Sequence, residues 1–128
     1  MKAGKNNMMT YADIKNALSM LDNPVMRLDL VMDIGAHMDA VPENATCNEI
    51  SGCASVAMIC HKDGRFYGRA DSALVQGILG ILLAMIDGKT IAEIKKMDIA
   101  GEFASLKLNL GAGRLNGVNS MIRFLQNL

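Results

Sequence analysis

Apolar residues recur along this chain with two different periods, and the places where the period changes divide it into segments. Near the start, Ile14, Ala17, Leu18 and Leu21 fall on one face of a helix, and Thr10 with Asp13 forms a capping-box variant that opens it. Asn23 followed by Pro24 marks a second helix start, since Pro is tolerated at the first helical position. That helix carries Val25, Leu28, Val31, Met32 and Gly35 toward Met38. Residues 39–52 hold Pro42 and several Asn and Asp residues with no helical period, and read as a long loop. Ser55 to His61 is rich in Val, Ile and Met, and Asp63-Gly64 is a hairpin turn before Phe66 and Tyr67, which predicts two antiparallel strands.

The helical period then returns. Asp71 is the expected N-cap of a helix from Ser72 to about Asp87, apolar nearly all round and so expected at the centre of the core. Gly77 and Gly80 would let another element approach it closely, and Gly88 fits its stop. Thr90 and Glu93 form a capping box for a short helix, and Asp98 caps another reaching Leu106. Gly111 and Gly113 break the chain before a last amphipathic helix with Val118, Met121, Ile122 and Leu125 on one face. The order predicts an α+β domain, helices covering an antiparallel sheet. There is no internal repeat or Pro-rich linker, and the 128 residues read as one domain with residues 1–8 as a loose tail.

Composition narrows the function classes. Thirteen basic and thirteen acidic residues cancel, so no net basic charge argues for nucleic acid. Two Tyr, three Phe and no Trp argue against base stacking as the main trade. Eleven Met fill irregular core space or serve adaptable contacts. The start of the chain lacks a secretory pattern, and the most apolar run, Ala73 to Ile86, is shorter than the roughly 17 to 25 residues of a membrane span. A cytoplasmic setting without a membrane partner is the expectation, and there the cysteines are expected to be thiols.

Cys47, Cys53 and Cys60 are six and seven residues apart, which matches no zinc-ribbon or helical metal spacing. His61 adjoins Cys60, but strand neighbours point to opposite faces, so no metal site is expected. Cys60 reads as a small core hydrophobe. Cys47 is either an exposed bystander or a partner that resolves an oxidised Cys53. Cys53 follows Gly52, where backbone freedom can present a side chain.

Four stretches in order carry a resemblance. Gly52-Cys53-Ala-Ser55 resembles the Gly-Cys-x-Ser element of the SufE family, sulfur acceptors of iron–sulfur assembly. Asp71-Ser-Ala-Leu-Val75-Gln-Gly77 is similar to its Ser-Asp-Ala-x-Ile-Val-x-Gly stretch, and Asp98, Phe103 and Leu106 fit the helix that follows. Arg114-Leu-Asn-Gly117 with Met121-Ile122 resembles its Arg-x-x-Gly-Leu-x-x-Met-Ile ending. The match runs from roughly Arg27 to Arg123. It departs at Ala57-Met58, where the family has Val-Trp, at Gln76, where it has Lys, and at Ala112-Gly113, where it has Pro-Ser.

The resemblance implies a SufE/IscU-like sheet of about three antiparallel strands under helices, and a non-enzymatic carrier. Cys53 would accept sulfur as a persulfide from a PLP-dependent cysteine desulfurase, stimulate that enzyme and pass the sulfur to an iron–sulfur scaffold. The PLP is the partner's, so no cofactor is expected on this chain. Arg114 would supply positive charge near Cys53, or else pair with Asp71 or loop carbonyls. Asp71 and Ser55 would help hold the cysteine-bearing loop, and the apolar central helix would shelter the sulfur. A cluster scaffold and a non-catalytic interaction module with an incidental Cys53 are the rival classes. A single thiolate at the matching position counts against the first of them.

Overall fold

The computed structural model describes residues 9–52 and 56–128, so the tail read over residues 1–8 lies outside the described residues. Among those described the chain forms α1 (Tyr11–Ser19), α2 (Pro24–Ala36), β1 (Thr46–Glu49), β2 (Ala57–Lys62), β3 (Arg65–Ala70), α3 (Ala73–Ile86), α4 (Ile91–Lys96), α5 (Ile99–Ser105) and α6 (Ala112–Gln126). The fold is α+β: three antiparallel strands in the order β1-β2-β3, with helices over the sheet.

Local signals account for most element ends. The Thr10 hydroxyl accepts from the Asp13 amide, and Asn23 Oδ1 accepts from the amides of Val25 and Met26 with Pro24 opening α2. Thr90 and Glu93 complete a reciprocal capping box, and Asp98 Oδ1 accepts from the Gly101 amide. Asp63 and Gly64 both have positive φ, as the tight turn joining β2 to β3 demands.

The core is built on α3, in which eleven of fourteen residues are buried. Each Leu or Ile removed from water contributes about 2 kcal/mol, so this helix is the main source of stability. Helix α2 lies directly on it. A Cβ added to Gly77 would overlap the Val31 carbonyl, and one added to Gly35 would lie 2.6 Å from the Gly77 amide nitrogen. The two backbones therefore touch where only glycine leaves room, as the expectation for Gly77 required. On the other side of α3, Gly68 of β3 brings the sheet against Leu79 and Leu83.

Polar ties hold the periphery. The Arg27 guanidinium gathers the carbonyls of Leu18, Leu21 and Leu106, joining α1, α2 and the end of α5. Tyr11 Oη and Lys15 Nζ both donate to Glu102 Oε2 at 2.7 Å. Those bonds hold the Glu102 carboxyl below its usual range, while burial and the neighbouring carboxylate push the Tyr11 phenol up.

Three expectations change. The loop read over residues 39–52 contains β1, which pairs with β2 from Thr46 opposite His61 to Glu49 opposite Met58. All four β1 residues are exposed, so the strand has no apolar alternation by which to announce itself. The N-cap of α3 is Ser72, whose hydroxyl accepts from the Val75 amide; Asp71 stands one residue too early to reach it. The third change concerns the cysteines. Cys47 and Cys60 are opposite each other across β1 and β2 and are joined in a disulfide, so they are not thiols. Pairing of the strands brings together two side chains that sequence spacing alone keeps apart.

Candidate functional site

Cys53 and Ser55 lie outside the described residues, as does Ala54. The chain on either side of them defines the site. Ile50, buried at the end of β1, donates its amide to the Ala57 carbonyl at 2.9 Å. That bond closes the base of the connection between β1 and β2, of which residues 50–52 and 56 are described. At its far end the Val56 carbonyl accepts from the Asp71 amide at 3.2 Å, which ties the connection to the entry of α3.

Gly52, directly before Cys53, has φ of 89°, a left-handed conformation that side chains disfavour. It also packs against α6, for a Cβ there would lie 2.5 Å from Ser120 Oγ. Glycine is thus required twice over, by backbone angle and by contact. Ser120 Oγ donates to the Asn116 carbonyl and accepts from Arg123 Nη2 at 3.1 Å, so the surface under Gly52 is itself braced. Glu49, Ile50, Ser51, Ser120, Arg123, Phe124 and Asn127 line a shallow hollow of about 340 Å³ beside the loop stem.

The expected supporting residues are placed unequally. Gly52 and Asp71 both anchor the connection, but Asp71 does so through its backbone amide, and its side chain is exposed. Arg114 is exposed in the first turn of α6, where Nη1 reaches the Leu110 carbonyl at 3.5 Å. The reading in which it binds a loop carbonyl matches this contact. Among the described residues, Arg114 and Asp71 form no ion pair.

Sequence reasoning missed Ser120 and Arg123. The only available signal was their position on the polar flank of an amphipathic helix, and that does not reveal which loop lies against it.

Gln76 explains one departure noted in the sequence. Its Oε1 accepts from the Ala70 amide at 2.6 Å and its Nε2 donates to the Gly68 carbonyl at 3.2 Å, stitching the end of β3 to α3. A lysine could donate there but could not accept. Cys60 is buried as expected but lies outside the main core cluster, on the sheet face opposite Ile59.

Among the described residues, no helix is long and apolar enough to cross a membrane. Comparison with known proteins adds an independent line. The profile of the family described as "SufE: Fe-S metabolism associated domain" matches residues 12–128. An uncharacterized SufE-like protein of Rhizobium meliloti is 32% identical over 132 residues, covering 93% of this chain and 94% of the other. The sulfur acceptor protein CsdE of Escherichia coli is 26% identical, covering 88% of this chain and 83% of its own length. The solution structure of a hypothetical protein from Thermus thermophilus superposes with a TM-score of 0.65 at 18% identity, covering 93% and 94% of the two chains.

Proposed function

The chain belongs to the SufE family, and on that premise we propose that it is a sulfur carrier whose Cys53 accepts a persulfide sulfur. The donor is a cysteine desulfurase, which this protein also stimulates, and the sulfur goes on to iron–sulfur cluster assembly. The reading draws support from the relative named as a sulfur acceptor. The observation that carries it is the seating of Gly52. A residue with φ of 89°, packed on Ser120, immediately precedes the cysteine in a connection tied at both ends.

The chemistry is thiol exchange. Cys53 thiolate attacks the outer sulfur of the donor's persulfide, a new S–S bond forms on Cys53, and the donor's cysteine leaves as thiolate. No net oxidation occurs, and rate depends on thiolate fraction and access. The PLP that releases sulfur from free cysteine belongs to the desulfurase, so this chain requires no cofactor of its own for the step. Arg123, whose Nη2 donates to the Ser120 Oγ that lies against Gly52, is a further cation that would favour an anionic sulfur on the next residue.

The test is to incubate the protein with a cysteine desulfurase and cysteine and to measure intact mass. A gain of one sulfur atom (about 32 Da) that reductant removes and Cys53→Ser abolishes is the expected result. No gain with an active desulfurase would overturn the reading.

A further inference from the structure

The Cys47–Cys60 disulfide plays no part in the proposed transfer, yet it sits on the two strands that carry the acceptor loop. The bonded cysteines are 13 residues apart, and Cys53 falls between them, so the bond closes a covalent ring that includes Cys53. Strand β1 is held on one side only, by β2, at the edge of the sheet. None of its four residues is buried, so no side chain of β1 anchors it in the core. Its attachment comes from the backbone ladder with β2, from the buried Ile50 at its end and from the disulfide.

We propose that this disulfide is a redox-modification site, opened by a dithiol reductant, that governs whether β1 stays on the sheet edge and, through the covalent ring, how readily Cys53 reacts. While the bond is closed, β1 is tethered to β2 at Cys47. Once it is open, β1 can fray from the sheet edge, as exposed edge structure does at low cost, and the ring that includes Cys53 is released. Thiol exchange between Cys53 and a partner is then faster in the reduced protein.

The chemistry is two successive exchanges. One thiolate of the dithiol attacks Sγ of Cys47, the exposed partner, and Cys60 leaves as thiolate and takes up a proton. The reductant's second thiolate then attacks the mixed disulfide, Cys47 leaves and is protonated, and the reductant departs as its own disulfide. Two electrons pass to the protein, whose two cysteines end as thiols.

The proposal rests on Cys53 being the acceptor, and the experiment separates the two ideas. First, air-purified protein is denatured and alkylated with N-ethylmaleimide, with and without prior reduction. One adduct without reduction and three with it are expected; three adducts without reduction would overturn the disulfide site. Next, native oxidised and reduced protein are treated with iodoacetamide, and labelling of the Cys53 peptide is followed by mass spectrometry. Labelling about fivefold faster in the reduced form is expected, and Cys47→Ser should label at the fast rate whether or not reductant is present. Equal Cys53 rates in oxidised and reduced wild type would refute the proposal without reliance on any variant. A persistent labelling contrast with no sulfur gain in either state would instead defeat the acceptor reading alone.

Discussion

The α2–α3 contact and the β1 edge differ in almost every physical respect. At the first, two helix backbones meet through Gly35 and Gly77 beneath a layer of fully buried Ile and Leu. At the second, four exposed residues hang on one neighbouring strand and a disulfide. Stability is concentrated in the first region. The segment that contains Cys53 follows the second in sequence, where local opening costs least. Under the proposed function that separation lets the strand edge next to Cys53 open without disturbing the helical frame.

The contrast can be broken from either side. Gly77→Ala attacks the frame and carries the largest expected effect. Its new methyl meets the Val31 carbonyl, which is backbone and cannot turn aside, so a loss of about 3 kcal/mol is expected in urea unfolding. A cost below that of an ordinary exposed substitution would show that the helices can separate freely.

Gly52→Ala attacks the loop stem. The left-handed φ and the approach to Ser120 Oγ together cost about 2 kcal/mol locally, but the urea midpoint should move far less than in Gly77→Ala. Sulfur loading of Cys53, read by intact mass, should fall. Adding Ser120→Ala to Gly52→Ala should restore part of the loading, because it relieves the contact and leaves the φ strain. No recovery would mean that the contact with α6 does not position the loop.

Gln76→Lys tests the seam between the two regions. It deprives the Ala70 amide of its acceptor, so a loss of about 1.5 kcal/mol is expected, together with faster hydrogen exchange at that amide. Unchanged exchange at Ala70 would sink the assignment.

The smallest effect belongs to Tyr11→Phe, on the surface of the frame. Glu102 has a folded pKa below its unfolded value, so the native state binds fewer protons there. Its contribution is present above the ordinary Glu pKa of about 4.3 and is lost as pH falls through the depressed value. Tyr11→Phe removes one of the two bonds that depress it, at a cost of about 1 kcal/mol at neutral pH. The gap between variant and wild type in urea midpoint should narrow in acid, and a gap independent of pH would refute the role of the carboxylate.

Much of this protein was legible as sequence. Caps at Thr10, Asn23, Thr90 and Asp98 act on amides two or three residues away, so their meaning is local and survives any tertiary arrangement. The central helix declared itself because burial on every side demands an apolar residue at nearly every position. Ordered motifs around Cys53, Asp71 and Arg114 carried the family, which the match over residues 12–128 shows.

What only the tertiary structure decided lies where residues distant in sequence meet without a pattern to record it. Strand β1 has no buried face, and so no period of its own; it exists because β2 offers a ladder. That same pairing sets Cys47 against Cys60 and converts two expected thiols into a bond. The approach of Ser120 to Gly52 depends on how α6 packs on the other helices, and the replacement of Lys by Gln76 makes sense only beside the end of β3. Local chemistry is written in neighbouring residues, whereas contacts between exposed or polar positions far apart in the chain are settled only when the core fixes the distances between them.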